Sequence, residues 1–493
     1  MVLLQGKIRK INKLLNERKI SATELVRHYL KNTESLNPTL NAYITVCTDA
    51  ALASAERADD IIAHGGALSP LCAIPVSVKD NINVCKVRMT CASKMLSDYE
   101  SIYDAAAVEY LKDSGAVILG KTNMDEFAMG STCENSYFGS ALNPHNTDYV
   151  PGGSSGGAAV SVAADMAVCA LGSDTGGSVR LPASFCGCVG LKPTYGSVSR
   201  YGLVAFASSF DQIGVISSCV DDAAVLFDTI NRYDCKDATS SPGARDKTAD
   251  SIEKNKSGLK IGVLKNAFLN PDSETENAVK SVLHIYEEMG AHICEVDIAH
   301  FEYLIPVYYV LSSAEAASNL ARYDGVRYGY RAENYTSIDD MIVKSRTEGF
   351  GAEVKRRIMT GNYVLSADGY KAYYEKANLM RNIIRSEYMD LFNRFDVLIS
   401  PTAPKTAFEL GKFKDSPTDM YYTDMLTVSA NLCGFPALSV PCGFDKNQLP
   451  MGVQLMGNMH SEALLFGAAY ALENAIGDKA HKKTKIGGDE LGI

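Results

Sequence analysis

Apolar and polar positions along this chain change their period several times, and the changes mark out its elements. Val279, Val282, Leu283 and Tyr286 fall at i, i+3, i+4 and i+7, which predicts an amphipathic helix over 276–289. Ile74, Val76 and Val78 alternate with Pro75, Ser77 and Lys79, which predicts a strand running into the polar turn Lys79-Asp80-Asn81. Short apolar runs predict further strands over 116–120, 258–265, 395–399, 437–440 and 453–456. Ser21 and Glu24 stand three apart, the spacing of a capping box, so a helix starts there and carries Leu25, His28 and Tyr29. Helices are predicted over 104–114 and 461–477 as well. Helix and strand alternate through much of the chain, the pattern of an α/β or mixed sheet.

Three segments need a separate reading. The weakly polar run 156–172 is rich in Ala and Gly and contains Asp165, so it is expected to be buried rather than to span a membrane. The polar stretch 234–256 reads as a long surface excursion rather than a domain linker, and the charged, glycine-bearing tail 478–493 as frayed. The N-terminal segment is too broken by Lys and Arg for a signal peptide or membrane anchor.

Composition narrows the function classes. Of 493 residues, 46 % are hydrophobic and 22 % charged, as in an ordinary globular protein. The formal charge of −10 disfavours a whole-surface grip on nucleic acid. Thirteen cysteines are scattered without any CxxC pair and away from the eight histidines, so reduced thiols and a cytoplasmic home are expected, with no zinc site.

Two glycine- and serine-rich loops are the candidate chemistry: Gly152-Gly-Ser154-Ser-Gly156 and Gly172-Ser-Asp-Thr175-Gly176-Gly177-Ser178. Consecutive glycines let backbone N–H groups converge on an anion. Neither loop carries the lysine of a phosphate-binding P-loop. Gly152 to Gly156 matches G-x-S-x-G, but an esterase elbow follows an apolar strand, and residues 143–151 form a polar, proline-bearing loop. A third reading joins both loops to Lys79. A serine hydroxyl is a weak nucleophile until a base takes its proton. Lysine is such a base only when neutral, which burial favours, and a second serine can relay the proton.

The run from Gly152 to Pro193 resembles the signature of the amidase signature family. Within that family, the segments 198–214, 312–329, 351–370 and 435–444 are similar to glutaminase subunits of tRNA-dependent amidotransferases. The resemblance implies a single domain over 1–477 with an α/β amidase signature fold: one large, mixed, twisted sheet flanked by helices on both faces. It implies catalytic roles for Lys79, Ser154 and Ser178, the last being the acylated serine. It places the oxyanion hole on the backbone N–H groups of Thr175, Gly176, Gly177 and Ser178. For a glutamine substrate it implies Asp424 for the α-amino group, Arg357 for the α-carboxylate, and Tyr308 or Tyr309 beside them. Arg356 is adjacent, so the arginine assignment is open by one position. It further implies B and C subunits as partners in a heterotrimer, and misacylated tRNA held mainly by B. No cofactor is expected in this chain, since ATP and Mg2+ serve the B subunit. A stand-alone small-molecule amidase is the alternative.

Overall fold

The computed structural model describes residues 6–66, 68–243, 247–253, 258–268, 272–416, 418–477 and 484–488. Among them, eleven strands form one sheet: β1 (Tyr43–Val46), β2 (Pro75–Lys79), β3 (Val117–Thr122), β4 (Cys169–Asp174), β5 (Val189–Lys192), β6 (Gln212–Ser217), β7 (Lys260–Leu264), β8 (His292–Val296), β9 (Val397–Pro401), β10 (Ala437–Phe444) and β11 (Pro450–Gly457). Their order is β1-β3-β2-β4-β6-β5-β10-β11-β9-β7-β8. Parallel pairs (β3/β2/β4 and β9/β7/β8) lie toward the two flanks, the edge strand β1 joins β3 antiparallel, and antiparallel pairs run through the middle. The expected mixed sheet is therefore present.

Helices cover both faces. Successive residues of a strand point to opposite sides, and along β9 Val397 and Ile399 join one apolar cluster while Leu398 joins another. The first cluster includes the helices Ala22–Leu40, Gly156–Ala163, Val220–Ile230 and Glu462–Ile476; the second includes Leu304–Leu320 and Glu375–Phe392. The predicted capping box forms, with the Ser21 side chain accepting from the Glu24 N–H and Glu24 reaching back to the Ser21 N–H. The amphipathic helix spans Ser273–Glu288 and buries Val279, Val282 and Tyr286. The run 156–172 is buried. Among the described residues no helix is long and apolar enough to cross a membrane, and all thirteen cysteines are unpaired.

The described parts of the stretch 234–256 run over the surface, with Cys235, Lys236, Ala238, Pro242 and Gly243 exposed, and are pinned to it at intervals. Asp234, Asp237, Ser240 and Thr248 are buried, Ser199 Oγ donates to Asp234 (2.6 Å), and Arg200 pairs with Asp237 (3.2 Å). These few buried polar side chains satisfy one another and the loop backbone. Residues 244–246 and 254–256 of that stretch lie outside the described residues. Residues 484–488 of the tail are tied down, with the Ile486 N–H on Pro144 O (3.1 Å) and the Gly488 N–H on Ala164 O (2.8 Å). The remainder, 478–483 and 489–493, lies outside the described residues.

Candidate active site

Lys79 is the last residue of β2, which lies between β3 and β4. Alternation set Lys79 on the polar side of its strand, but all five residues of β2 are buried and Lys79 is 0 % exposed. Its Nζ lies 2.7 Å from Ser154 Oγ, 2.9 Å from Ser173 Oγ and 3.2 Å from Ser173 O. Nζ donates to all three oxygens, and loss of one proton would leave a lone pair for the Ser154 hydroxyl. Burial pushes Lys79 down to about 7, against the upward pull of the Asp125, Asp174 and Asp211 carboxylates.

Ser154 follows a cis Gly153–Ser154 peptide and is fully buried. The Ser155 N–H donates to Ser178 O at 3.0 Å, which brings the two serine loops together. Ser178 is 8 % exposed, against 0 % for Ser154 and Lys79, so the nucleophile candidate is the most accessible of the three.

The Ser178 loop is held from behind by a buried ion pair. Asp174, at the end of β4, accepts the Gly177 N–H (2.8 Å) and the Val179 N–H (3.1 Å). Arg180 grips both Asp174 oxygens (3.0 and 2.9 Å) and reaches Thr427 O (2.9 Å), Gln454 Oε1 (2.6 Å) and Asn431 Oδ1 (2.7 Å). Burial raises the Asp174 carboxyl, but Arg180 outweighs it and holds the group down to about 2. Removing one partner of such a pair strands the other charge in the interior. Arg180→Met is therefore expected to lower stability by about 3–5 kcal/mol, read as a shifted midpoint in urea unfolding.

Because the Gly177 N–H is committed to Asp174, the oxyanion assignment contracts. Among the described residues the Thr175, Gly176 and Ser178 N–H groups meet no acceptor. Gly177 has φ +135°, a conformation that strains any residue with a Cβ. A Cβ on Gly176 would lie 2.5 Å from the Tyr308 ring, so that tyrosine packs directly on the loop.

The substrate-reading candidates assemble beside this loop. Asp424 is 7 % exposed and accepts from Ser131 Oγ (2.6 Å) and Tyr309 OH (3.4 Å). Burial raises its carboxyl to about 7, against the Ser131 hydrogen bond and the Arg357 charge. Arg357 is 3 % exposed and its Nε donates to Glu353 Oε1 (2.7 Å), while its NH1 has no hydrogen-bond partner. Its guanidinium carbon lies 4.4 Å from the centre of the Tyr309 ring and 4.6 Å from that of Tyr421. The neighbouring Arg356 side chain is 39 % exposed, so of the two arginines it is Arg357 that is buried beside Tyr309. Tyr309 touches both charges, whereas Tyr308 backs Gly176.

Several residues of this site were not singled out beforehand. Ser131 sits in the small polar run 129–136, with no feature that ties it to a carboxylate 293 positions away. Glu353 and Tyr421 belong to helical segments where a charge and an aromatic ring read as surface and packing. Arg180 did carry a signal: it is the one charge in the apolar helix RLPASFC.

A buried lysine whose pKa is lowered to about 7, two serines and a loop of free N–H groups fit a class of hydrolase that attacks amide carbonyls through a serine. The amidase family model matches residues 24–466, and the chain belongs to that family. It is 48 % identical over 467 residues to the A subunit of the glutamyl-tRNA(Gln) amidotransferase of Thermosynechococcus vestitus, covering 94 % of this chain and 97 % of that one. It is 46 % identical to the protein of the same name from Caldanaerobacter subterraneus, covering 98 % of each. Among solved structures it is similar to the A subunit of the glutamyl-tRNA(Gln) amidotransferase of Thermotoga maritima (TM-score 0.78, 38 % identity, 100 % of both chains). It is also similar to 6-aminohexanoate cyclic dimer hydrolase (TM-score 0.84, 25 % identity, 98 % of this chain and 99 % of that one).

Proposed function

We propose that this chain is the glutamine-hydrolysing A subunit of a glutamyl-tRNA(Gln) amidotransferase. The observation that carries the reading is that Asp424 and Arg357 both lie against Tyr309, whose neighbour Tyr308 packs on the Ser178 loop. One anion and one planar cation are what a free α-amino acid needs, and a general amidase does not.

Neutral Lys79 takes the Ser154 proton while Ser154 takes that of Ser178, and Ser178 Oγ attacks the side-chain amide carbon of glutamine. The Thr175, Gly176 and Ser178 N–H groups hold the oxyanion. As the tetrahedral species collapses, the C–N bond breaks and the proton returns through Ser154 to the leaving nitrogen, which departs as ammonia. Water, deprotonated by the same relay, then splits the acyl ester to release glutamate and restore Ser178.

Assembly into a multi-subunit enzyme follows from this reading. A B subunit would use ATP and Mg2+ to activate the glutamate carried on tRNA(Gln), and the aspartate on tRNA(Asn) where that is the substrate. A C subunit would fasten this chain to B. No cofactor is assigned to this chain, whose chemistry needs only side chains and water.

The pocket is tested by Arg357→Ala and Asp424→Asn. Each removes a hydrogen bond to a charged group, of a kind that contributes about 1.5–3 kcal/mol. Each is expected to raise the glutamine KM by about tenfold or more. A simple amide lacking the α-amino and α-carboxylate groups should be hydrolysed as before. Parallel losses on both substrates would place the glutamine pocket elsewhere. A wild type that prefers the simple amide would favour a stand-alone amidase.

A further inference from the structure

We infer that Thr427 is a positioning residue that couples recognition at Asp424 to the shape of the oxyanion loop. The inference rests on the glutamine reading above. Thr427 is fully buried, and its Oγ1 donates to Gly176 O at 2.6 Å and faces Asp424 O at 3.0 Å. Its own N–H donates to Asp424 O at 3.0 Å, and its carbonyl accepts from Arg180 NH1 at 2.9 Å. One residue thus joins the segment that presents the amine-reading carboxylate to the loop that carries the nucleophile.

The join falls on one peptide unit. The Gly176 carbonyl is held by Thr427 Oγ1, and the N–H of the same unit, on Gly177, is held by Asp174 Oδ1 at 2.8 Å. A peptide unit is planar, so gripping both ends fixes its plane. That plane sets where the flanking Gly176 and Ser178 N–H groups point, and these are two of the three free donors of the loop. There is no slack at the contact: a Cβ on Gly177 would lie 2.2 Å from Thr427 Oγ1. A shift at Asp424 on meeting an ammonium group passes to the Gly176 carbonyl by hydrogen bonds through Thr427, while Tyr309 and Tyr308 link the same two places by packing. Binding energy from the remote end of the substrate is thereby expressed at the reacting end, as specificity in kcat rather than in KM.

A simple amide uses the loop that Thr427 holds but never engages Asp424, so Thr427→Val should cost it less than it costs glutamine. In the full-length chain within its complex, Thr427→Val is expected to reduce kcat for glutamine, with KM within about threefold. The ratio of kcat for glutamine to kcat for the simple amide should fall at least about tenfold. Thr427→Ser, which restores the hydroxyl, should recover most of that ratio. Adding Thr427→Val to Asp424→Asn should cost kcat little more than Asp424→Asn alone, because both break one link. If Thr427→Val does not fold, Thr427→Ala is read in the same assays. Equal losses on both substrates, no recovery in Thr427→Ser, or additive losses in the double variant would each overturn the coupling and leave the glutamine reading standing. A wild type with no preference for glutamine would overturn both.

Discussion

Ser178→Ala is expected to abolish glutamine hydrolysis while leaving the fold and the rest of the enzyme's work intact. Its side-chain oxygen makes no hydrogen bond within the described chain, whereas its carbonyl holds the Ser155 N–H at 3.0 Å and is unaffected by the change. The loop's conformation comes from Gly176, Gly177 and the Asp174–Arg180 pair, none of which touches the hydroxyl. Loss of the attacking oxygen is expected to cost at least about 10⁴-fold, since no other group can form the acyl ester. In the assembled enzyme, transfer from added ammonium salt should persist, because ammonia then bypasses this site. The measurement is glutamate release alongside amide transfer from glutamine and from ammonium chloride. Near-normal glutaminase activity in the variant would remove Ser178 from its role, and loss of the ammonium-dependent reaction would point to a damaged assembly instead.

The parts of the molecule that could be read beforehand share a physical reason. The strands β3, β9, β10 and β11 are short apolar runs between polar turns, and the helix Ser273–Glu288 repeats its apolar residues on one face. Such patterns are local consequences of burial. The pairing order is not local. β10 lies between β5 and β11, with Leu438 opposite Leu191, and no pattern within ten residues of either predicts that partnership. The same division runs through the site. Ser154 and Ser178 stand in glycine-rich loops whose composition already limits what they can do. Lys79 looks like a solvated strand end until β3 and β4 close over it. Ser131, Thr427 and Gln454 acquire meaning only when the fold sets them against Asp424, Gly176 and Arg180. An isolated hydroxyl or amide has no periodicity to betray its partner.

Lys79→Ala and Ser154→Ala are each expected to reduce turnover by about 10²–10⁴, the scale of a positioned acid–base group. The double variant should lose little more, since the two act as one relay. The pH profile carries the sharper consequence. Lys79 must be neutral to accept a proton, and burial brings it down to about 7, so kcat/KM for a simple amide should rise tenfold per pH unit below that value and level above it. Asp424 must be ionised to meet the glutamine ammonium group, and burial raises it to about 7 as well. With glutamine the acidic limb should therefore approach a slope of two, and Asp424→Asn should return it to one. A slope of one for both substrates in the wild type would remove Asp424 from substrate recognition. The same shift has a cost in stability. Between about 7 and 10.5 the unfolded chain holds a proton on Lys79 that the folded chain lacks, so this group makes stability rise with pH across that window. Below it both states are protonated, and the full penalty of about 5 kcal/mol applies, at about 1.36 kcal/mol per pH unit. Lys79→Met should accordingly be inactive and yet unfold at higher urea than the wild type at pH 7. A less stable Lys79→Met would mean that the hydrogen bonds to Ser154 and Ser173 outweigh the burial of the amine.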